Sequence, residues 1–216
     1  FTPKPIINLV YEAPSIQPRT PWANTVLYLP LESDYSDLSS YNRTYTNQQW
    51  TMSFSSYWWV SASYRNRGYL LYPLSNVKFD DFTMSCWVGK STRSNYWEVF
   101  ADLHNDSVSP IMDISPYISD WGVWGCMNTS NRNWWIDVLS NMSWTSWWHL
   151  YTITQDSSNF IIYLDGVQIA TAPLTNSANI TLVDVWARDD AYTNASLIWW
   201  LREFIVESKV RTAQEV

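Results

Sequence analysis

The segment from Trp148 to Ile169, WHLYTITQDSSNFIIYLDGVQI, constrains the fold more than any other stretch. Two runs rich in aromatic and β-branched residues are joined by a polar turn and end at an Asp-Gly corner. Such residues suit a pleated, half-buried surface, and Asp-Gly beside apolar runs favours a tight hairpin. The same pattern fills the chain: VLYLPL from Val26, then YLLYPL, FTMSCWV, YWEVFADL, PIMDI, WGVWGCM, WWIDVL, VQIATA, ITLVDVW and IWWLREFIV. The runs recur about every 10–15 residues with turn signals between them, which is the signature of an all-β protein. SDYSDLSSYNRTYTN reads as a long polar loop, and the sole helical candidate is the tail SKVRTAQEV. Residues 1–24 carry Pro3, Pro5, Pro14, Pro18 and Pro21 and read as an extended arm or linker. Residues 25–216 then form one domain.

A chain of 216 residues suits one large β-sandwich with a real core. No apolar run reaches the roughly 18 residues of a membrane span, so no membrane insertion is expected. The chain begins at Phe1 rather than Met, and a longer parent is expected. The net charge of -7 and the few, scattered Lys and Arg argue against nucleic acid as a partner. Six Asn-x-Ser/Thr sequons, at Asn42, Asn105, Asn128, Asn141, Asn179 and Asn194, permit glycosylation without requiring it. The two cysteines, Cys86 and Cys126, exclude a small disulfide scaffold; they either pair across sheets or stay as buried thiols.

Sixteen Trp and 14 Tyr stand beside only 5 Gly. Trp, Tyr, Ser and Asn together are the chemistry of adaptable recognition surfaces. The alternative is that large rings fill a wide core. The period of two decides part of this, because successive strand residues face opposite ways. In YWEVFADL, Trp97, Val99, Ala101 and Leu103 share one face, and Glu98 and Asp102 share the other. Val123 and Met127 oppose Trp124 and Cys126; Trp134 and Ile136 oppose Trp135 and Asp137. In regular strands the pairs 58–59, 134–135 and 199–200 each send one ring away from the core. The outer face of a two-layer sandwich meets solvent, a loop or a partner.

Several segments together resemble the laminin-G-like domain of the concanavalin A-like lectin/glucanase superfamily. VLYLPLESDYSDLSSYNRT is similar to its opening strand and Asp-x-Ser loop, and VKFDDFTMSCWV to a central phrase. WHLYTITQDSSNFIIYLDGVQIA is the nearest match, with its Trp-His strand and Tyr-Leu-Asp-Gly turn, and LREFIVESKVRTAQEV is similar to the closing strand and tail. Departures are Trp199 and Trp200 where Gly and an aromatic are common, and Arg202 where Asp is common. The resemblance implies an antiparallel jelly-roll β-sandwich. It also implies a binding module for a glycan or protein receptor at an extracellular or virion surface, with calcium at the loop rim. Asp102 and Asp106 in ADLHNDS, with Asp189 and Asp190 in ARDDAYTN, lie where such ligands would come from.

No catalysis is expected. The superfamily's glucanases carry an E-x-D-x-x-E strand that this sequence lacks. Glu98 and Asp102, four residues apart on a strand, would be roughly 13 Å apart, too far for the ~5 Å of a retaining glycosidase pair. A divergent glycoside hydrolase is thus an alternative without a visible pair of acids. Neither His104 nor His149 belongs to a nucleophile constellation, and His149 reads as structural. The ligand-contact candidates are Trp58, Tyr96, Trp97, Trp121, Trp124, Trp134, Trp135, Trp186, Tyr192 and Trp199. The other alternative is an assembly or decoration protein, whose arm and outward rings bury against neighbouring subunits.

Overall fold

The computed structural model describes residues 20–49, 52–57, 60–65, 69–78, 81–90, 98–99, 101–104, 112–119, 122–129, 132–137, 148–173, 179–185 and 199–216. Among them lie the strands β1 (Thr25–Leu29), β2 (Asn47–Gln49), β3 (Met52–Tyr57), β4 (Val60–Arg65), β5 (Tyr69–Lys78), β6 (Phe82–Lys90), β7 (Glu98–Val99) and β8 (Ala101–His104). There follow β9 (Met112–Ser119), β10 (Gly122–Thr129), β11 (Arg132–Asp137), β12 (Trp148–Gln155), β13 (Asn159–Leu164), β14 (Val167–Pro173), β15 (Asn179–Val185) and β16 (Trp199–Glu207). The described chain is all-β, and its pairings are antiparallel.

Sheet A runs β14-β13-β12-β6-β16-β4-β3, with β1 also paired to β16. Sheet B runs β11-β10-β9-β8-β15-β5-β2, with β7 also paired to β9. Alternate residues of both sheets meet in one core. Sheet A supplies Phe82, Met84, Cys86 and Val88 from β6, Tyr151 and Ile153 from β12, and Phe160 and Ile162 from β13. Sheet B supplies Leu70, Tyr72 and Leu74 from β5, Ala101 and Leu103 from β8, and Val183 and Val185 from β15. Each large side chain so buried is worth about 1.5–3 kcal/mol, and this layer makes the two sheets a sandwich. Cys86 is a free, fully buried thiol, pushed up in pKa by that burial, so it forms no bridge with Cys126.

The segments that carry the family resemblance hold the fold locally. Asp37 of the Asp-x-Ser loop is buried and accepts from the backbone N–H groups of Tyr28, Ser39 and Arg43 at 2.8–2.9 Å, and from Ser39 Oγ at 2.8 Å. A carboxylate with that many donors can be buried without its desolvation cost dominating. At the Asp-Gly corner both residues take positive φ, 51° for Asp165 and 77° for Gly166, as a two-residue hairpin turn requires. Asp165 Oδ2 lies 2.6 Å from His149 Nδ1, and Oδ1 accepts from Leu150 N at 2.9 Å. The Trp-His strand and the Asp-Gly turn are thus one unit, and His149 is structural.

The structure departs from the sequence reading in three places. Between the polar loop and Tyr69, where the sequence reading assigned no strand, β3 and β4 pair as a hairpin with Tyr57 opposite Val60. Ser-rich strands of this kind lack an apolar stripe, and β3 ends its sheet, where little core contact is demanded. Trp58 and Trp59 fall between these strands, outside the described residues. The tail 208–216 forms a single turn rather than a helix. Its Thr212 N–H donates to Glu215 Oε2 at 2.9 Å, and Glu215 N–H donates to the Thr212 carbonyl at 2.9 Å, so the turn is closed by a backbone bond and by the Glu215 carboxylate. Finally, YWEVFADL is not one regular strand. Val99 lies opposite Tyr117 while Leu103 lies opposite Ile114, so the register along β9 slips by one residue between β7 and β8. A one-residue slip exchanges faces. Of the proposed arm, residues 1–19 lie outside the described residues. Trp22 lies against Arg211, whose guanidinium carbon is 3.7 Å from the ring centre.

A candidate recognition face on three strands

β9, β10 and β11 pair without a break in register. Residues directly opposite one another in antiparallel strands share a face. Fully buried Leu103 lies opposite Ile114, Ile114 opposite Met127, and Met127 opposite Trp134. That row therefore belongs to the core side. The next position along each strand belongs to the other face, where Asp113, Asn128 and Asn133 form a row. Two positions further along come Ser115, Cys126 and Trp135, and after them Tyr117, Trp124 and Asp137. Rows two residues apart and strands at sheet spacing give a patch of about 13 by 10 Å.

The register sorts the candidate rings. Trp124 and Trp135 share this face, diagonal to one another; Trp134 is on the core side. On β16, Trp199 lies opposite Lys90 and alternates with buried Leu201, so the register puts it on the core side too. Trp200, opposite Gly89, takes the other face of sheet A. Trp58, Tyr96, Trp97, Trp121, Trp186 and Tyr192 lie outside the described residues, as do Asp106, Asp189 and Asp190. Asp102 is on β8 opposite Asp184, whose side chain is fully buried. Glu98, opposite Ile118, takes the core-side row, whereas Asp102 takes the other. The slip between β7 and β8 thus puts the two acids on opposite faces, where the sequence reading put them on one. They cannot flank one scissile bond.

Tyr117, Asp113, Asn128 and Asn133 were not among the sequence candidates. The reason is Pro116, which made PIMDI look like a strand that ends before it. A proline is tolerated inside a strand where no ladder hydrogen bond is asked of its nitrogen. Pro116 falls between Ile114, which pairs with β8, and Tyr117, which pairs with β7. Counting the period of two through the proline finds Tyr117 in phase with Asp113.

A shallow concavity lies on the outer face of sheet A. Ser85, Trp87, Leu150, Thr152, Glu203 and Ile205 line it from the sheet, and Arg211, Glu215 and Val216 from the tail. Glu203 sits at a β-bulge with φ of 49°, accepts from Tyr28 Oη at 3.3 Å, and donates its N–H to Pro30 O at 3.1 Å. Its neighbour Arg202 forms an ion pair with Glu32. These groups tie β16 to the first strand and the loop after it.

No protein-family model matches the sequence, and no curated protein matches it. The fold does match solved structures. The binding domain of botulinum neurotoxin serotype C1 superposes with a TM-score of 0.68 at 14% identity, covering 89% of this chain and 50% of that one. The botulinum neurotoxin DC binding domain in complex with SialylT gives 0.66 at 16%, covering 88% and 49%. The same DC domain in complex with rat synaptotagmin II gives 0.59 at 19%, covering 88% and 49%. The likeness shows a shared β-sandwich fold. This chain spans about half the length of those domains.

Proposed function

We propose that the chain is a non-catalytic recognition module that binds a glycan or a protein receptor at an extracellular or virion surface. The observation that supports this reading is the register of β9–β11, which places Tyr117, Trp124 and Trp135 on one face of the sheet with Asn128 and Asn133. Aromatic rings offer large, rigid contact area at low entropic cost, and amides supply adaptable hydrogen bonds. The solved domains of like fold are themselves binding domains, and that of botulinum neurotoxin DC is solved in complex with SialylT and in complex with synaptotagmin II. Separation of Glu98 from Asp102 supports the non-catalytic reading.

Within the β-sandwiches, the laminin-G-like assignment is supported by the Asp37 loop and by the coupling of His149 to Asp165. Calcium at the acidic loop rim, held by Asp102, Asp106, Asp189 and Asp190, belongs to the same proposal. Its oxygen-rich donor set suits a hard cation.

A glycan array with the purified chain, run with calcium and again with chelator, tests the module. A parallel pull-down tests for a protein receptor. Binding lost on chelation assigns the ligand site to the acidic rim. Binding unchanged by chelator assigns it to the aromatic face. A chain that retains neither glycan nor protein is not a recognition module.

A further inference from the structure

We infer that Asn42 is the acceptor of an N-linked glycan, and that this glycan covers the apolar side chains exposed on the same loop. The inference rests on the reading of the chain as an extracellular or virion-surface module and adds a modification site to it.

The first support is local geometry. Asn42, Arg43 and Thr44 form the first sequon of the chain. Asn42 takes a φ of 46°, a left-handed conformation that asparagine tolerates better than most side chains. Its N–H donates to Ser39 O at 3.1 Å and closes a tight turn. Both ends of that turn are held down. Asp37 accepts from the N–H groups of Ser39 and Arg43, and the Arg43 guanidinium donates to the carbonyls of Pro73 and Val26. Ser39 is buried and Arg43 half-buried, whereas Asn42 and Thr44 are exposed. The turn thus lifts a carboxamide and a hydroxyl clear of a fixed base. Among the described residues neither side chain has a hydrogen-bond partner.

The second support is what surrounds the turn. Leu38, Tyr41 and Tyr45 are 51%, 54% and 40% exposed, so most of the large apolar side chains exposed among the described residues stand on this one loop. A gathering of exposed apolar groups marks a surface that something covers. Tyr41 adjoins Asn42 and packs against the Arg43 guanidinium, whose central carbon is 4.2 Å from the ring centre. A ring braced in this way offers the first sugar an apolar surface beside its point of attachment. The other sequons have no such setting: Asn128 and Asn179 lie in paired strands, and Asn105, Asn141 and Asn194 lie outside the described residues. An exposed loop is where a glycan is accommodated without disturbing a sheet.

The donor is an oligosaccharide carried on a polyprenyl diphosphate and presented by the transferase of a secretory pathway. Asn42 Nδ2 attacks the anomeric carbon. An N–C bond forms, and the bond from that carbon to the diphosphate oxygen breaks. The amide gives up one proton, and the polyprenyl diphosphate leaves with the electron pair.

The test directs the full chain through the secretory pathway of cultured eukaryotic cells behind a cleavable leader. Peptide N-glycosidase in heavy-oxygen water converts each glycan-bearing asparagine to a labelled aspartate, which mass spectrometry locates. Thr44→Ala removes the sequon and keeps Asn42. Asn42→Gly removes the acceptor and keeps the left-handed turn. Thr44→Ser keeps the sequon. Apolar exposure is compared by hydrophobic-interaction chromatography of the folded proteins.

The expected result is label at Asn42 in most molecules of the wild type and in Thr44→Ser, and none in the other two variants. Those two should be retained longer on the column. A secreted wild type unlabelled at Asn42 overturns the site. Label at Asn42 with unchanged retention of the two variants overturns the covering role. Either result leaves the module reading standing, because the glycan array and pull-down test that reading separately. A labelled chain that binds neither glycan nor protein overturns the module reading and leaves Asn42 as the acceptor. A chain that the cells retain rather than secrete overturns both. Occupancy is read on the wild type, so a variant that fails to fold leaves the test intact.

Discussion

The two sheets share a core, yet the faces they turn away from it are built of different residues. On sheet A, Thr83 lies opposite Thr154, Ser85 opposite Thr152, and Trp87 opposite Leu150. Thr83, Thr152 and Thr154 are buried there, because the tail passes over this face. Thr83 Oγ1 donates to Lys209 O at 2.7 Å and accepts from Arg211 N–H at 2.9 Å. Trp148, on this face, fills the space above Gly89, where an added Cβ would stand 3.1 Å from the indole. On the β9–β11 flank of sheet B the same positions hold Tyr117, Trp124, Trp135 and a row of amides and carboxylate. Small hydroxyl residues let a strap of backbone lie close to a sheet. Rings and amides suit a partner that brings its own polar surface. The tail covers the outer face of sheet A, whereas on the β9–β11 flank of sheet B the register places rings and amides on the face turned away from the core.

The largest effects should separate Trp134 from Trp135, neighbours in sequence on opposite faces of β11. Trp134→Ala should destabilise the chain by about 3–5 kcal/mol, as loss of a large core-side ring does. Trp135→Ala should change stability by less than about 1 kcal/mol, in line with substitutions away from a core, while weakening ligand binding. Urea denaturation of both variants checks this. Equal destabilisation would erase the distinction between the two faces of sheet B.

A smaller effect tests the strap on sheet A. Thr83→Val keeps the shape of the side chain and removes its hydroxyl, leaving the Arg211 N–H and the Lys209 carbonyl without that partner. A loss of about 1–3 kcal/mol is expected for groups left unsatisfied in this way. Limited proteolysis should cut the tail faster in the variant, with ligand binding on sheet B unchanged. A tail that resists protease equally well in both proteins would show that Thr83 does not hold it.

The sequence made one part of this comparison plain and hid the other. β12, β13 and β14 were legible because nothing interrupts their pattern and Asp165-Gly166 announces the turn. The alternation in β10 and β11 was legible too, and it correctly opposed Trp124 to Met127 and Trp134 to Trp135. Their meeting with Tyr117 on one surface was not, because strand order and register are long-range properties. Pro116 concealed half of β9, and a slip of one residue moved Glu98 to the face opposite Asp102. The tail misled for another reason. SKVRTAQEV has helix-forming residues, but its side chains are engaged elsewhere: Arg211 binds both carboxylate oxygens of Glu207 and stacks on Trp22.

The smallest predicted effect concerns the end of that tail and depends on pH. Glu215 accepts from Lys209 Nζ and from the Thr212 N–H, which hold its carboxyl at about 2 against an ordinary value of 4.5. A carboxyl whose folded value lies below its unfolded value contributes stability that is fully present above the unfolded value. That contribution fades as pH falls toward the folded value. The tail turn should therefore be fully held above about pH 4.5 and loosen progressively between 4.5 and about 2. Glu215 is exposed, so solvent screens the effect and the whole domain should hardly register it. Hydrogen exchange of the Thr212 amide is the sensitive readout. Glu215→Gln cannot ionise and should give a profile flat across that range, with the amide less protected at neutral pH. A wild-type profile as flat as the variant's would mean that the strap over sheet A owes nothing to this carboxylate. Thr83 and the Arg211–Glu207 pair would then be its fasteners.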